Sequence, residues 1–447
     1  MTDQQMFSVL ARWNYWEDRS LPDLVYRREV GEIEEFLDSN FVQIVKGPRR
    51  SGKSSLLKLV YRKLLESVDK LSFLFLNLED VSLSMEEKTP VLLEKLYRLY
   101  RQRVNPVGKT YMFVDEIQHI RGWEQWIETY RESGEVKFIV TGSSSKLSSK
   151  EFGTLLTGRH IDLTLLPFSF ADFVRSKGIE VSSLSIELKS DLIKNLLFSY
   201  LDSGGFPEIL LSFPEENGTK ILEAYFDDII YRDIVERWNI RDALLTKRIA
   251  LYALKNSGNL LSYRKIQKAL EQTSGKTSTS TISENMSHLS EAYILFEVEL
   301  HTNSVKKALI NPRKVYSVDT GLRKAVVKPL TDDYGRDGEN IVFLELLRRG
   351  YKVTFWKTDK TEVDFVSSGR TGDLVINVTM SNLDDPALRE RELRGLLEFE
   401  GDRSRRILLN SDIEDTLKIH DKTIELIPLW KWLLIEDFLP SNNLHYF

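Results

Sequence analysis

Gly47-Pro48-Arg49-Arg50-Ser51-Gly52-Lys53-Ser54, GPRRSGKS, decides the reading of this 447-residue chain. Gly47, Gly52, Lys53 and Ser54 stand at the spacing G-x-x-x-x-G-K-[ST], a loop that wraps phosphates. The flanks agree: the apolar run Phe41–Val45 predicts a strand before it, and Ser54–Leu65 predicts a helix after it. Glycines let backbone N–H groups turn toward an anion at the helix start, where the helix dipole also favours negative charge. Lys53 is expected to reach the β/γ-phosphates and the Ser54 hydroxyl to sit on Mg²⁺. Pro48, Arg49, Arg50, Ser51 and Ser55 complete the expected cradle for ATP or ADP.

Outward from the loop, short apolar strands alternate with helical patterns. The strand candidates are Phe41–Val45, Ser72–Leu76, Tyr111–Val114, Lys137–Val140 and Ile161–Leu165. Such alternation argues for a parallel sheet with helices on both faces and ligands at the carboxyl ends of its strands. The third candidate runs into Asp115-Glu116, an apolar strand ending in two acids. Asp115 is expected to hold Mg²⁺ through water, and Glu116 to orient or activate the attacking water. The fourth is followed by Thr141-Gly142-Ser143-Ser144. Either Ser143 or Ser144 contacts the γ-phosphate or the water, or the serines only cap the next helix.

Two further stretches carry candidates. Arg159, in Thr157-Gly158-Arg159, is either an arginine finger supplied in trans to a neighbour's nucleotide or a surface arginine in a salt bridge. Gly205-Phe206-Pro207 is either a rigid turn approaching the adenine or a plain interhelical turn. His119 and His160 read as surface or supporting residues rather than ligands, and no metal spacing stands out beyond the Mg²⁺ site.

Composition bounds the rest. An apolar share of 42% with 29% charged residues describes a soluble globular chain. The net charge of −5 gives no global attraction to nucleic acid, so any such binding needs local basic patches. The absence of cysteine excludes disulfides and thiolate metal sites. No apolar run approaches the ~20 residues that span a bilayer, and MTDQQMFSVLARW lacks a signal-peptide layout. A cytoplasmic protein without a membrane partner is the expectation.

GPRRSGKSSLL, FVDEIQ, the pair Trp123 and Trp126, VTGSSS, LTGRHIDLTLLPFSFADF and GGFPE occur in that order. Together they resemble the archaeal and bacterial AAA+-like ATPases, near the STAND branch, that carry an uncharacterised C-terminal domain. The resemblance spans about residues 20 to 430. It implies that the turn Gly205 to Pro207 belongs to a lid over the nucleotide.

The expected architecture is α/β: a P-loop parallel-sheet ATPase core in residues 1–168, a helical lid in 169–241, a winged helix in 242–320, and an α/β restriction-endonuclease-like domain in 321–447. In the winged helix, Ser262–Leu270 and Thr279–Tyr293 are the helix candidates. Ile282, Met286, Leu289 and Tyr293 share the second one's buried face, Thr279, Ser280 or Thr281 caps it, and Ser283, Glu284 and Ser287 lie on its open face. Arg264, Lys265, Lys268, Lys276, Lys306 and Lys307 make this region mildly basic, without an Arg/Asn/Gln set for base readout. Phosphate contacts with little sequence choice are expected, or else a winged helix used only for packing.

In the tail, Glu339 and Asp364 match the helix acid and strand acid of a nuclease site, but Asn377-Val378-Thr379 stands where an acid-x-lysine is needed. No nearby lysine in the sequence replaces it, so a degenerate fold is expected. The function implied is a Mg²⁺-dependent, homo-oligomeric ATPase acting on double-stranded, branched or single-stranded DNA. The rivals are a STAND-type switch that scaffolds protein partners, and an ATP-gated nuclease.

Overall fold

A computed structural model of the chain describes residues 1–435 except 18, 143–157, 213–214, 276, 305, 308–310, 332, 371, 382 and 402–403. Its packing divides into two units, Met1–Leu165 and Leu166–Phe447.

The first unit is built on five parallel strands: β1 (Val42–Lys46), β2 (Phe73–Asn77), β3 (Thr110–Asp115), β4 (Val136–Thr141) and β5 (His160–Thr164). Each lies within a residue or two of its expected place. Their order is β2-β3-β4-β1-β5. β1 and β4 are buried along their whole length, as strands covered on both faces must be. β4 separates the strand of the phosphate loop from the strand of the acid pair, so the carboxyl ends of β1, β4 and β3 stand side by side.

β2 is an edge strand, and the N-terminal segment covers it. Asn14 imitates a neighbouring strand: its Nδ2 donates to Phe75 O at 2.9 Å and its Oδ1 accepts from Phe75 N at 2.7 Å. Trp16 Nε1 donates to Phe73 O at 2.8 Å. These bonds occupy edge groups that would otherwise template pairing with another chain. Trp123 and Trp126 lie in the core, and Trp126 Nε1 and Tyr130 OH both donate to Glu94, at 2.9 and 2.8 Å.

The second unit begins with helices Phe170–Ser176, Ser183–Leu188, Ser190–Ser203, Pro207–Ser212, Glu215–Asp228 and the wider turn Ile229–Glu236. Helix Ala243–Lys255, strand β6 (Leu260–Leu261), helices Tyr263–Ser274 and Thr279–Glu291, and strands β7 (Leu295–Val298) and β8 (Arg313–Ser317) follow, with the sheet ordered β6-β8-β7. Ile282, Met286 and Leu289 are buried as expected. Two details differ. Ser278 is the cap of helix Thr279–Glu291, its side chain accepting from Thr281 N. Tyr293 lies past the helix end at φ 59, half-buried rather than on the buried face.

The remaining chain forms helix Tyr334–Arg348 and a six-stranded mixed sheet. Its strands are β9 (Lys352–Lys357), β10 (Glu362–Gly369), β11 (Gly372–Val378), β12 (Arg405–Asn410), β13 (Asp415–Ile419) and β14 (Lys422–Pro428), ordered β13-β14-β12-β11-β10-β9. β11, β12 and β14 run parallel, and helix Pro386–Glu398 makes the crossover from β11 to β12. Among the described residues, no helix is long and apolar enough to cross a membrane.

Candidate functional site

The loop after β1 takes the shape its residues permit. Gly47 sits at φ 145, and a Cβ there would fall 2.1 Å from Leu165 O, so only glycine fits. Arg50 at φ 69 and Gly52 at φ 97 turn the chain into helix Lys53–Leu64, with Gly52 as its N-cap. The first N–H groups of a helix have no partner within the helix, so this end is a ready anion site. Lys53 is buried and its Nζ folds back on the loop, donating to Gly47 O at 3.2 Å and Pro48 O at 2.9 Å. The Ser51 Oγ is fully buried without a hydrogen-bond partner. Pro48 is buried, Arg49, Ser54 and Ser55 are half-buried, and Arg50 is exposed.

Facing the loop is the end of β3. Asp115 is buried, which pushes its carboxyl above the usual range, while hydrogen bonds from Ser54 and Thr141 pull the other way. Thr141 Oγ1 donates to Asp115 Oδ1 at 2.5 Å and accepts the Glu116 backbone N–H at 3.0 Å. Glu116 itself takes a left-handed backbone, φ 57, and its carboxylate accepts from Gln118 Nε2. Glu79, after β2, and His119 complete the mouth, with His119 Nε2 3.6 Å from Glu79 Oε1. The bond to His119, and then the charges of Arg49 and Lys53, hold the Glu79 carboxyl below its usual range.

Lys53, Ser54, Asp115 and Glu116 are thus brought together. Thr141, Gln118 and Glu79 were not singled out in the sequence, although Thr141 stands two residues before the first of the two candidate serines. Ser143 and Ser144 lie outside the described residues. The group fits a Mg²⁺–nucleotide. Hydroxyl and carboxylate oxygens are the donors a hard cation takes, a buried carboxylate is one whose charge a cation would balance, and the Ser51 hydroxyl lacks an internal partner.

Arg159 lies elsewhere in the first unit. Arg159 O accepts the N–H of Val42, the first residue of β1, so Arg159 is at the amino end of the sheet, ~13 Å of strand away from the loop. Its guanidinium pairs with Glu128, which also binds Arg131 at 2.6 and 2.7 Å. Gly205 and Pro207 belong to the second unit. A Cβ on Gly205 would fall 2.3 Å from Phe168 O, and the Gly205 N–H donates to Asp319 Oδ2 at 2.5 Å. Pro207 opens helix Pro207–Ser212, and Phe206 between them is fully buried. Packing within that unit accounts for this turn's residues.

A five-stranded parallel sheet with a phosphate loop after β1 and an acid pair after β3 defines a P-loop ATPase fold of the AAA type. Residues 39–174 match the AAA domain family, and residues 194–333 match a domain of unknown function, DUF8612. The chain belongs to a family that includes uncharacterized proteins of a bacterium and an archaeon. One relative, described only as an uncharacterized protein, is from Haemophilus influenzae and is 31% identical over 406 residues, 90% of this chain and 96% of its own. Another, uncharacterized protein MJ1544 of Methanocaldococcus jannaschii, is 31% identical over 416 residues, 90% of each chain. The Walker-type ATPase PABY2304 of Pyrococcus abyssi is similar at 17% identity and a TM-score of 0.45, over 70% of this chain and 99% of that one.

Proposed function

We propose that this protein is a Mg²⁺-dependent ATPase that works on DNA with little sequence choice. The observation that carries the first half is the convergence of Lys53, Ser54 and Asp115 with the Thr141-braced Glu116 at the carboxyl end of the sheet. On binding, Lys53 leaves the loop carbonyls for the β/γ-phosphates, and the backbone N–H groups from Gly47 to Ser55 take the remaining oxygens. Ser54 and Asp115 hold the Mg²⁺, which neutralises phosphate charge when bound. Glu116 orients the water for attack. Arg159 is at the wrong end of the sheet to serve its own loop, so a catalytic role for it requires a neighbouring subunit and hence a homo-oligomer.

The second half of the reading rests on the helix–strand–helix–helix–hairpin order from Ala243 to Ser317, which is that of a winged helix. Arg264, Lys265 and Lys268 are exposed on one helix, and Lys306 and Lys307 are exposed between β7 and β8. Lys276 lies outside the described residues. The helix Thr279–Glu291 offers exposed Glu284 and Ser287, so phosphates rather than base edges are the target. The mixed sheet with Glu339 on its helix and Asp364 on β10 has the outline of a restriction-endonuclease-like fold. Asn377, at the acid position, is a buried clasp: it accepts from Asp364 N at 3.1 Å and donates to Glu392 O at 2.8 Å.

The test is ATP turnover by the purified chain with and without Mg²⁺, together with retention of duplex, branched and single-stranded DNA at low and high salt. Turnover without DNA retention at low salt would leave a nucleotide switch with protein partners. No turnover at all would end the ATPase reading.

A further inference from the structure

The acids of the C-terminal module already have a cation. Lys314, on the middle strand of the three-stranded sheet, extends its side chain to helix Tyr334–Arg348 and strand β10. Its Nζ lies 2.8 Å from Glu339 Oε1, 2.7 Å from Glu362 Oε1 and 3.0 Å from Asp364 Oδ1. Two of its N–H groups donate, to Glu339 Oε1 and Asp364 Oδ1, and Glu362 closes the ring as an ion pair. The side chain is only 2% exposed. Burial opposes its charge, but the fields of Asp364, Tyr316, Glu339 and Glu362 raise its pKa well above the usual lysine value. The cluster is braced on every side. Tyr316 OH donates to Glu339 Oε1 at 2.5 Å, its ring stacks on Phe343 at 4.6 Å, and Val378 N–H donates to Asp364 Oδ2 at 3.0 Å.

We propose that the Lys314 ammonium is the resident cation of this carboxylate site, standing where a divalent metal would otherwise bind and closing the module to metal-dependent chemistry. One oxygen from each of three acids points at a single centre, the donor set a hard cation requires. That centre is filled by a group covalently anchored on β8. A lysine placed to act on a substrate phosphate would be open to it, whereas this one is buried and ringed by three carboxylates. The contact also fastens the three-stranded sheet to the helix and sheet that follow, so the second unit trades metal chemistry for rigidity. This inference stands on the second unit's own geometry and does not depend on the ATPase reading.

The experiment counts bound Mn²⁺ by electron paramagnetic resonance on the full chain, without nucleotide. Wild type and Asp364→Asn should bind the same number of ions. Lys314→Met, which keeps the bulk and removes the charge, should bind one more, and Lys314→Met/Asp364→Asn should lose it again. Mn²⁺ should also raise the melting temperature of Lys314→Met while leaving that of Asp364→Asn unmoved. If Lys314→Met does not fold, Lys314→Gln, which keeps a polar group among the three acids and removes the charge, takes its place in the count. The proposal is overturned if wild type binds one Mn²⁺ that Asp364→Asn loses, or if wild type cuts DNA in a metal-dependent manner that Asp364→Asn abolishes. It is also overturned if the folded single variant, Lys314→Met or Lys314→Gln in its place, gains no ion.

Discussion

Thr141 and Asp115, 26 residues apart, are joined by a 2.5 Å hydrogen bond from the threonine hydroxyl to the carboxylate. The same hydroxyl accepts the N–H of Glu116, whose left-handed backbone needs an external partner to persist. One side chain thereby sets both the acid assigned to the metal and the acid assigned to the water.

Thr141→Val keeps the shape of β4 and removes both bonds. Hydrogen bonds to charged groups contribute about 1.5–3 kcal/mol, equivalent to about a 10- to 150-fold loss of kcat. ATP affinity should change far less, because Lys53 and the loop are untouched. Parallel measurement of kcat and of ATP binding decides it, and an unchanged kcat would remove Thr141 from the site.

Lys53 and Glu116 should separate in their effects. Lys53→Ala removes the cation assigned to the phosphates and should weaken ATP binding by at least tenfold. Glu116→Gln should bind ATP as wild type does and lose turnover by about a hundredfold or more, as expected when a group that positions the nucleophile is removed. Normal hydrolysis by Glu116→Gln would show that another group orients the water.

Arg159 gives a test of assembly. Arg159→Ala and Glu116→Gln are each expected to be inactive alone. Mixed, they form sites with an intact Glu116 in one subunit and an intact Arg159 in its neighbour, and activity should partly return. Full activity of Arg159→Ala by itself would leave this arginine as the partner of Glu128 and nothing more.

The basic residues of the second unit should control DNA affinity through salt. Each phosphate contact contributes about 0.9 to the slope of log K against log salt for duplex DNA. Replacing Lys265 and Lys268 with Gln should lower the slope by about 2, with equal effect on unrelated sequences. A loss confined to one sequence would point instead to base readout.

Asp319 makes the stability of the second unit depend on pH. It is fully buried, accepting from Gly205 N at 2.5 Å and Leu322 N at 2.7 Å. Burial pushes its carboxyl up to about 6 from 3.8, against the pull of those N–H groups and of Arg348. Between these values the folded chain keeps a proton the unfolded chain has released, so Asp319's contribution is full below about pH 4 and is lost as pH rises through about 6. Subtracting the denaturation curves of Asp319→Asn from those of wild type across pH 4–7 should isolate that fall. A flat difference would place the carboxyl at its ordinary value.

Much of the first unit could be read from contiguous residues. Apolar runs placed all five strands, because β1 to β4 are largely buried and mostly apolar and the half-exposed β5 still carries Ile161 and Leu163, and the loop's glycines announced its positive-φ turns. The covering of β2 by Asn14 and Trp16 was not legible, since neither residue's local pattern says which strand edge lies beside it. The tail shows the same divide. Glu339 and Asp364 were marked by their motif, whereas Lys314 sits in a strand of another sheet, 25 and 50 residues away from them.

By itself, then, the sequence determined the phosphate loop, the Asp-Glu pair and the strands that carry them, all products of local periodicity and backbone sterics. Tertiary structure decided what strand order brings together. β4 lies between β1 and β3 and so sets Thr141 against Asp115 and the Glu116 backbone. β5 starts at the far end of the sheet and so keeps Arg159 from its own loop. β8 delivers an ammonium into three carboxylates. Each depends on which strands become neighbours, and that is chosen by the burial of whole faces rather than by any short run of residues.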